Sequence, residues 1–239
     1  MTLPTTSMTM RHLDRGQLRH YVARQLEQFF PLPGATAAAL AGSLASPVEH
    51  ALARLERCFA GIRRRKFQGA DGPVFNPLHP DHYAMFLYLL ANSVAASPDA
   101  ARGRAAPAAG ELAFRLYYLN KALHGVDVFP DVALPEVFQF MHATGTVIGQ
   151  ARFGGHFCIY QNCTVGSNET GDYPEFGDGV VMYTGARVIG RCRIGGNVVI
   201  GANALIIDRD IPDDSIAMSE SVRVRVLPNK LPVLERRFL

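Results

Sequence analysis

The chain has 239 residues, 48% of them hydrophobic, with a formal net charge of +3 and a pI near 8.7. Such a length and composition fit a soluble globular protein of one large or two modest domains. The charge is too mild to point to nucleic acid, although it does not oppose a phosphorylated cofactor.

From Arg15 to about His124 the apolar residues recur at helical spacing. Leu18, Tyr21, Val22, Leu26 and Phe29 form one stripe, Leu52, Leu55, Cys58 and Ile62 a second, and Phe86, Leu87, Leu90 and Val94 a third. Pro31, Pro33, Pro47 and Pro80 punctuate these helices where starting or stopping is cheap. The dense basic run Arg63, Arg64, Arg65, Lys66 reads as the solvated end of a helix. The most apolar stretch, Tyr83 to Ala96, is interrupted by Asn92 and falls short of the ~20 residues a membrane helix needs, so it predicts a buried helix and no membrane span. A fourth helix is expected over Glu111 to Leu123, after an Ala-rich, Pro-containing stretch from Ala95 to Gly110 that reads as a connection or lid. Residues 1–125 are thus expected to form a helical domain.

After Val126 the period changes to six. Phe176, Met182, Val188, Ile194, Ile200 and Ile206 make one column, and Val180, Ala186, Cys192, Val198 and Ala204 stand four places behind it. At 48% hydrophobic residues, eleven apolar hits at a fixed phase would arise by chance on the order of once in a few thousand trials. An earlier run keeps the step through Val147, Phe153, Ile159 and Val165, with Ala151, Phe157 and Cys163 behind it, and Gly166 to Glu175 loops out. A six-residue unit suits a short strand and a corner, with Gly149, Gly177, Gly190, Gly195, Asn197, Gly201 and Asn203 as corner residues. Stacked units give a solenoid over residues 126–211, where a sandwich would not explain the fixed period. Residues 212–239, with Val222, Val224 and Val226 in alternation, read as a tail that caps it.

Cys58, Cys158, Cys163 and Cys192 form no CxxC pair and no signal-like segment opens the chain, so a cytoplasmic location without disulfides is expected. His142, in HATGTVIG, is a candidate base; His79, His124 and His156 read as packing or surface.

The repeat resembles the hexapeptide-repeat acyltransferases, whose chains coil into a left-handed parallel β-helix and assemble as trimers. Within that group, GVDVFP, then HATGTVIG, then YQNCTVG, preceded by NPLHPDHYAMFLYLL, is similar to serine acetyltransferase, over about Asn76 to Ile211. The resemblance implies an α+β chain, a helical domain followed by the β-helix, and an acetyl-CoA-dependent O-acetyltransferase with no metal. It makes Asp127 and His142, fifteen residues apart, the catalytic pair. A histidine would take the proton of the acceptor hydroxyl, and a carboxylate on its other ring nitrogen would steady the imidazolium. Gly166, Ser167, Thr184 and Ala202 would line the pantetheine arm between neighbouring subunits, in a homotrimer or a dimer of trimers joined through the N-terminal helices. A covalent acyl-cysteine route is rejected, the cysteines fitting inward positions.

Departures fall where the family binds its amino acid. The acid before the catalytic histidine is Met141, the Arg-His pair of the following loop is Asp172 and Tyr173, and the acid of the Asp-Pro pair is Asn76, with Asp81 nearby as a substitute. A free amino acid brings a carboxylate and an ammonium that need charged partners. The expected acceptor is therefore a hydroxyl on a sugar, a polysaccharide precursor or a specialised metabolite, with serine O-acetyltransferase and a non-catalytic trimeric scaffold as alternatives. A zinc enzyme on the same solenoid would want three histidines, and only His142 and His156 lie in the repeat.

Overall fold

The structure is a computed structural model and describes every residue except 1–6, 32, 33, 35, 97–105, 221, 222, 231 and 239. Pro33, Val222 and most of the expected connection between Ala95 and Gly110 lie outside the described residues.

The first half is helical, as its period requires. Helix α1, Arg15–Phe29, starts at a capping box in which the Asp14 side chain accepts the Gln17 N–H and the Gln17 side chain returns the bond. Leu18, Val22 and Leu26 are buried along it, whereas Phe29, at its last turn, is exposed. Helices α2, Ala37–Ser43, and α3, Ala45–Ala60, follow. Helix α4, Pro80–Ala95, opens on a proline at its first turn and is buried from Asp81 to Ala91, which fits the continuous apolar stretch. Helix α5, Ala106–His124, starts earlier than the apolar pattern and ends at Gly125, whose positive φ lets its N–H reach back to the Lys121 carbonyl. Among the described residues no helix is long and apolar enough to cross a membrane.

The second half is a three-faced parallel solenoid of about five turns. One face stacks Val126–Val128, Thr146–Ile148, Thr164–Gly166, Arg187–Ile189 and Leu205–Ile207. A second stacks Val137–Met141, His156–Tyr160, Val180–Met182, Val199–Ile200 and Ser215–Glu220, and the third Arg152–Phe153, Glu175–Phe176 and Arg193–Ile194. Ser215–Glu220 adds in parallel and Arg223–Pro228 closes that edge antiparallel, so stacking runs past residue 211 into the tail. Helix α6, Val233–Arg237, then carries Phe238 back to pair with Ile62 in the helical half.

Both columns from Phe176 onward point inward and are buried. The earlier run slips by one residue. Val147, expected in the wall, is 42% exposed while Ile148 is 1% exposed, because Ile148 is the register partner of Val165 and that coil is one residue short of eighteen (165 − 148 = 17). The loop over Gly166 to Glu175 has the opposite effect, and Phe153 to Phe176 takes 23 residues (176 − 153) where Phe176 to Ile194 takes 18 (194 − 176).

One continuous core joins the halves. Tyr88 of α4 donates to the Val132 carbonyl at 2.7 Å, and Cys58 of α3 to the Phe138 carbonyl at 3.2 Å. The helical half is thereby fixed against the first coil, where HATG lies.

Candidate active site

His142 directly follows the strand Val137–Met141, at the corner that leads to the next face. Its backbone is left-handed, with φ at 53°, which costs a non-glycine residue energy unless its surroundings hold it there. Here they do. The His142 N–H donates to Asp81 Oδ1 at 2.9 Å, and its carbonyl accepts the Thr144 N–H at 2.7 Å. Asp81 is buried and ion-paired with Lys66. At Gly145 φ is 73° and a Cβ would overlap Asn162 Oδ1, so the last letter of HATG must be glycine. The imidazole itself is exposed.

Asp127 stands on the neighbouring face, in register with Val147. Val126 and Val128 point inward and are buried, so Asp127 is directed outward. Its carboxylate accepts the Tyr117 hydroxyl and the Lys121 ammonium, each at 2.6 Å, from one side of α5. Burial, then the bond to Asp127, raises the Tyr117 hydroxyl; the Lys121 ammonium is raised chiefly by its bond to Asp127. No hydrogen bond joins Asp127 to His142 in this structure, so the expected pair is not formed within the chain.

Thr184 and Ala202 occupy the corner of HATG in later coils, linked by the Gly185 N–H to the Gln161 carbonyl and the Asn203 N–H to the Thr184 carbonyl. Gly166 and Ser167 lie at the opposite border of the face between them, where the Gly190 N–H reaches the Gly166 carbonyl. The four expected cofactor residues thus flank one flat face, and one chain does not gather them into a pocket.

Of the residues expected to read the acceptor, Met141 is buried beside His142, and Asn76 closes a turn through its Oδ1 and the Leu78 N–H at 2.9 Å. Asp172 and Tyr173 are exposed in the loop across the face from His142. Bonds from Thr170 and Asn168 lower the Asp172 carboxyl.

The basic run departs from the expected solvated helix end. Helix α3 stops at Ala60, and the run folds over the joint between the halves. Arg64 Nη2 donates to the Tyr160 hydroxyl at 3.2 Å, Lys66 binds Asp81, and Arg63 donates to the Glu235 carbonyl at 2.8 Å. Sequence reasoning missed Arg64, Lys66, Tyr117 and Lys121. The i, i+4 spacing of Tyr117 and Lys121 on a helix was the visible signal, but it did not name the carboxylate they meet.

His79, His82, His124 and His156 are packed or paired. Burial pulls His82 down to about 3 and His124 to about 4, and lowers His79. His156 shares a 2.7 Å bond with Asp178. All four cysteines are buried, and burial pushes the Cys158 thiol up to about 12, where no thiolate is at hand for acyl transfer. Among the described residues no group of three or more His, Cys, Asp or Glu side chains could hold a metal ion.

No family model matches the chain. It is 35% identical over 113 residues to serine acetyltransferase of Synechococcus elongatus, a match covering 46% of each protein. It is likewise 35% identical over 103 residues to that of Mycobacterium tuberculosis, covering 41% of this chain and 44% of the relative. The chain therefore spans less than half the length of the curated relatives it matches. Among solved structures, a Neisseria gonorrhoeae serine acetyltransferase in complex with serine matches 91% of this chain and 85% of its own with a TM-score of 0.66 at 22% identity. A serine acetyltransferase in complex with CoA matches 91% and 86% with a TM-score of 0.64 at 20% identity. The chain therefore has the fold of the serine acetyltransferases.

Proposed function

We propose that the chain is an acetyl-CoA-dependent O-acetyltransferase whose acceptor is serine. The observation that carries it is His142, held in a strained turn at a domain joint with its imidazole exposed, in a chain 35% identical over 113 residues to a serine acetyltransferase. Relatives of that name and a structural neighbour with serine bound support serine over the sugar or metabolite hydroxyl expected from the departures at Met141, Asn76, Asp172 and Tyr173.

In this reading His142 removes the hydroxyl proton as the oxygen attacks the thioester carbonyl of acetyl-CoA. The tetrahedral oxyanion collapses, the C–S bond breaks, and the imidazolium returns the proton to the leaving thiolate. Asp127 supplies the negative charge that favours the imidazolium, in competition with the Lys121 ammonium that it holds. The pantetheine arm runs along the flat face between Thr184 and Ala202 at one border and Gly166 and Ser167 at the other. Exposed Val147, Leu205 and Ile207 on that face support its burial against a second subunit, and the assembly proposed is a cytoplasmic homotrimer.

The test is thiol release from acetyl-CoA by the purified protein, with L-serine set against a panel of sugar and amino-alcohol hydroxyls. Turnover that depends on L-serine bears the proposal out; release with another acceptor and none with L-serine refutes it.

A further inference from the structure

The proposed acceptor carries a carboxylate, and the residue expected at the arginine position that reads it is Asp172, an anion. Asp172 also lies across the flat face from His142 and is engaged by Thr170 at 2.8 Å and Asn168 at 3.3 Å. A cation for the carboxylate must come from elsewhere, and the basic run at the joint provides candidates. Lys66 is neutralised by Asp81. Arg63 is turned away to the Glu235 carbonyl, and Arg65 is exposed.

Arg64 is placed differently. Its Nη2 touches the Tyr160 hydroxyl, and Tyr160 is the register partner of Met141, the residue before His142. Tyr160 in turn stacks on Tyr183 at 4.9 Å, one residue before Thr184 on the cofactor border. Two residues along from Arg64, Lys66 is bound to Asp81, which holds the His142 backbone. Arg64 therefore sits on the helical-domain side of the same corner. Among the described residues it has no carboxylate within ion-pair distance, and its Nε is buried without a hydrogen-bond partner. A guanidinium presents a planar fork of donors that a carboxylate satisfies two at a time. Arg19 and Arg115 also bury an unpartnered Nε, but of the three it is Arg64 that stands at this corner, where an anion would meet a partly buried fork whose one side-chain contact is neutral.

We propose that Arg64 binds the carboxylate of the acceptor and is the specificity-determining residue of this site. The inference rests on the serine reading and gives that reading the cation its loop lacks. It also assigns the acceptor class, a β-hydroxy acid or amino acid, whose carboxylate is anchored by Arg64 while its hydroxyl faces His142.

The experiment compares L-serine with L-serinamide, which keeps the hydroxyl and the ammonium and removes the carboxylate, in the full-length protein and in Arg64→Gln and Arg64→Lys. The parent should prefer serine. Arg64→Gln should raise KM for L-serine by roughly 10- to 100-fold, the loss of one charge-assisted contact, and collapse the serine-to-serinamide ratio of kcat/KM. Arg64→Lys, with the charge but no fork, should fall between the two. CoA binding and the melting curve of each variant establish that it is folded. A folded Arg64→Gln that still separates serine from serinamide as the parent does overturns the assignment of Arg64 alone. A parent that releases no thiol with L-serine overturns the serine reading, and this inference with it.

Discussion

His82 makes acid stability a sharp test of how the helical half is packed. Its ring is 1% exposed, between Phe59 at 4.9 Å and Phe67 at 4.7 Å and stacked on His79 at 4.4 Å. Its Nδ1 accepts the Asn76 N–H at 3.2 Å, so a second ring proton would break that bond as well as charge an apolar pocket. Burial, then the neighbouring His79 and Lys66, depresses its pKa from 6.5 to about 3, and burial depresses His124 to about 4. Because both folded pKa values lie below the unfolded one, the unfolded chain binds more protons on acidification. The stability they contribute is whole above pH 6.5 and is lost as the pH falls below it. Between pH 7.5 and 5 each should cost about 2 kcal/mol, and the pair about 4 kcal/mol, with His79, lowered by burial and stacked on His82, adding in the same direction. Urea midpoints at those two pH values read this directly. His82→Asn keeps an acceptor for Asn76 and removes one titration, so the fall should shrink by about 2 kcal/mol whatever the variant costs at pH 7.5. The lowered carboxyl of Asp172 loses its contribution only as the pH drops below 3.8 and does not enter this window. An unchanged fall in His82→Asn, or a parent that gains stability toward pH 5, would refute the reasoning.

His142→Ala removes the proposed base and should lower turnover by on the order of 10²- to 10⁴-fold while acetyl-CoA affinity, read by calorimetry, stays near the parent's. Asp127→Asn should also lose mostly kcat, and the double variant should be little worse than His142→Ala alone if the two act as a unit; additive losses would separate their roles. Because its ion pair with Lys121 is half-exposed, Asp127→Asn should shift stability by no more than about 1 kcal/mol. Ile194→Asp would bury an unpaired carboxylate beside Phe176 and Ile211 and should leave no soluble folded protein, whereas Ile194→Val should cost about 1 kcal/mol in a urea melt.

The solenoid was legible because its forces are local and repeat. Every sixth residue meets the same inward environment, so a column of Phe176, Met182, Val188, Ile194, Ile200 and Ile206 announces a wall without any knowledge of what it stacks on. The phase of the first coil was not legible, since Val147 and Ile148 are both apolar and only the pairing of Ile148 with Val165 decides which faces inward. The same distinction runs through the site. HATG stood out only through its resemblance to a family motif, while the turn it builds, a left-handed His142 and a Gly145 whose Cβ would meet Asn162 of the next coil, is set by residues that folding brings together. Asp81, Arg64 and the pair Tyr117 and Lys121 act on partners brought to them by folding, Asp81 across 61 residues to His142 and Arg64 across 96 to Tyr160, and no spacing records such meetings. A basic run then looks like any solvated helix end, and an aspartate flanked by valines shows which way it points without showing what waits there. For Asp127 what waits is an ammonium. The charge that would steady an imidazolium is already held by Lys121, so its worth to His142 depends on a competition set by α5, an element outside the repeat altogether.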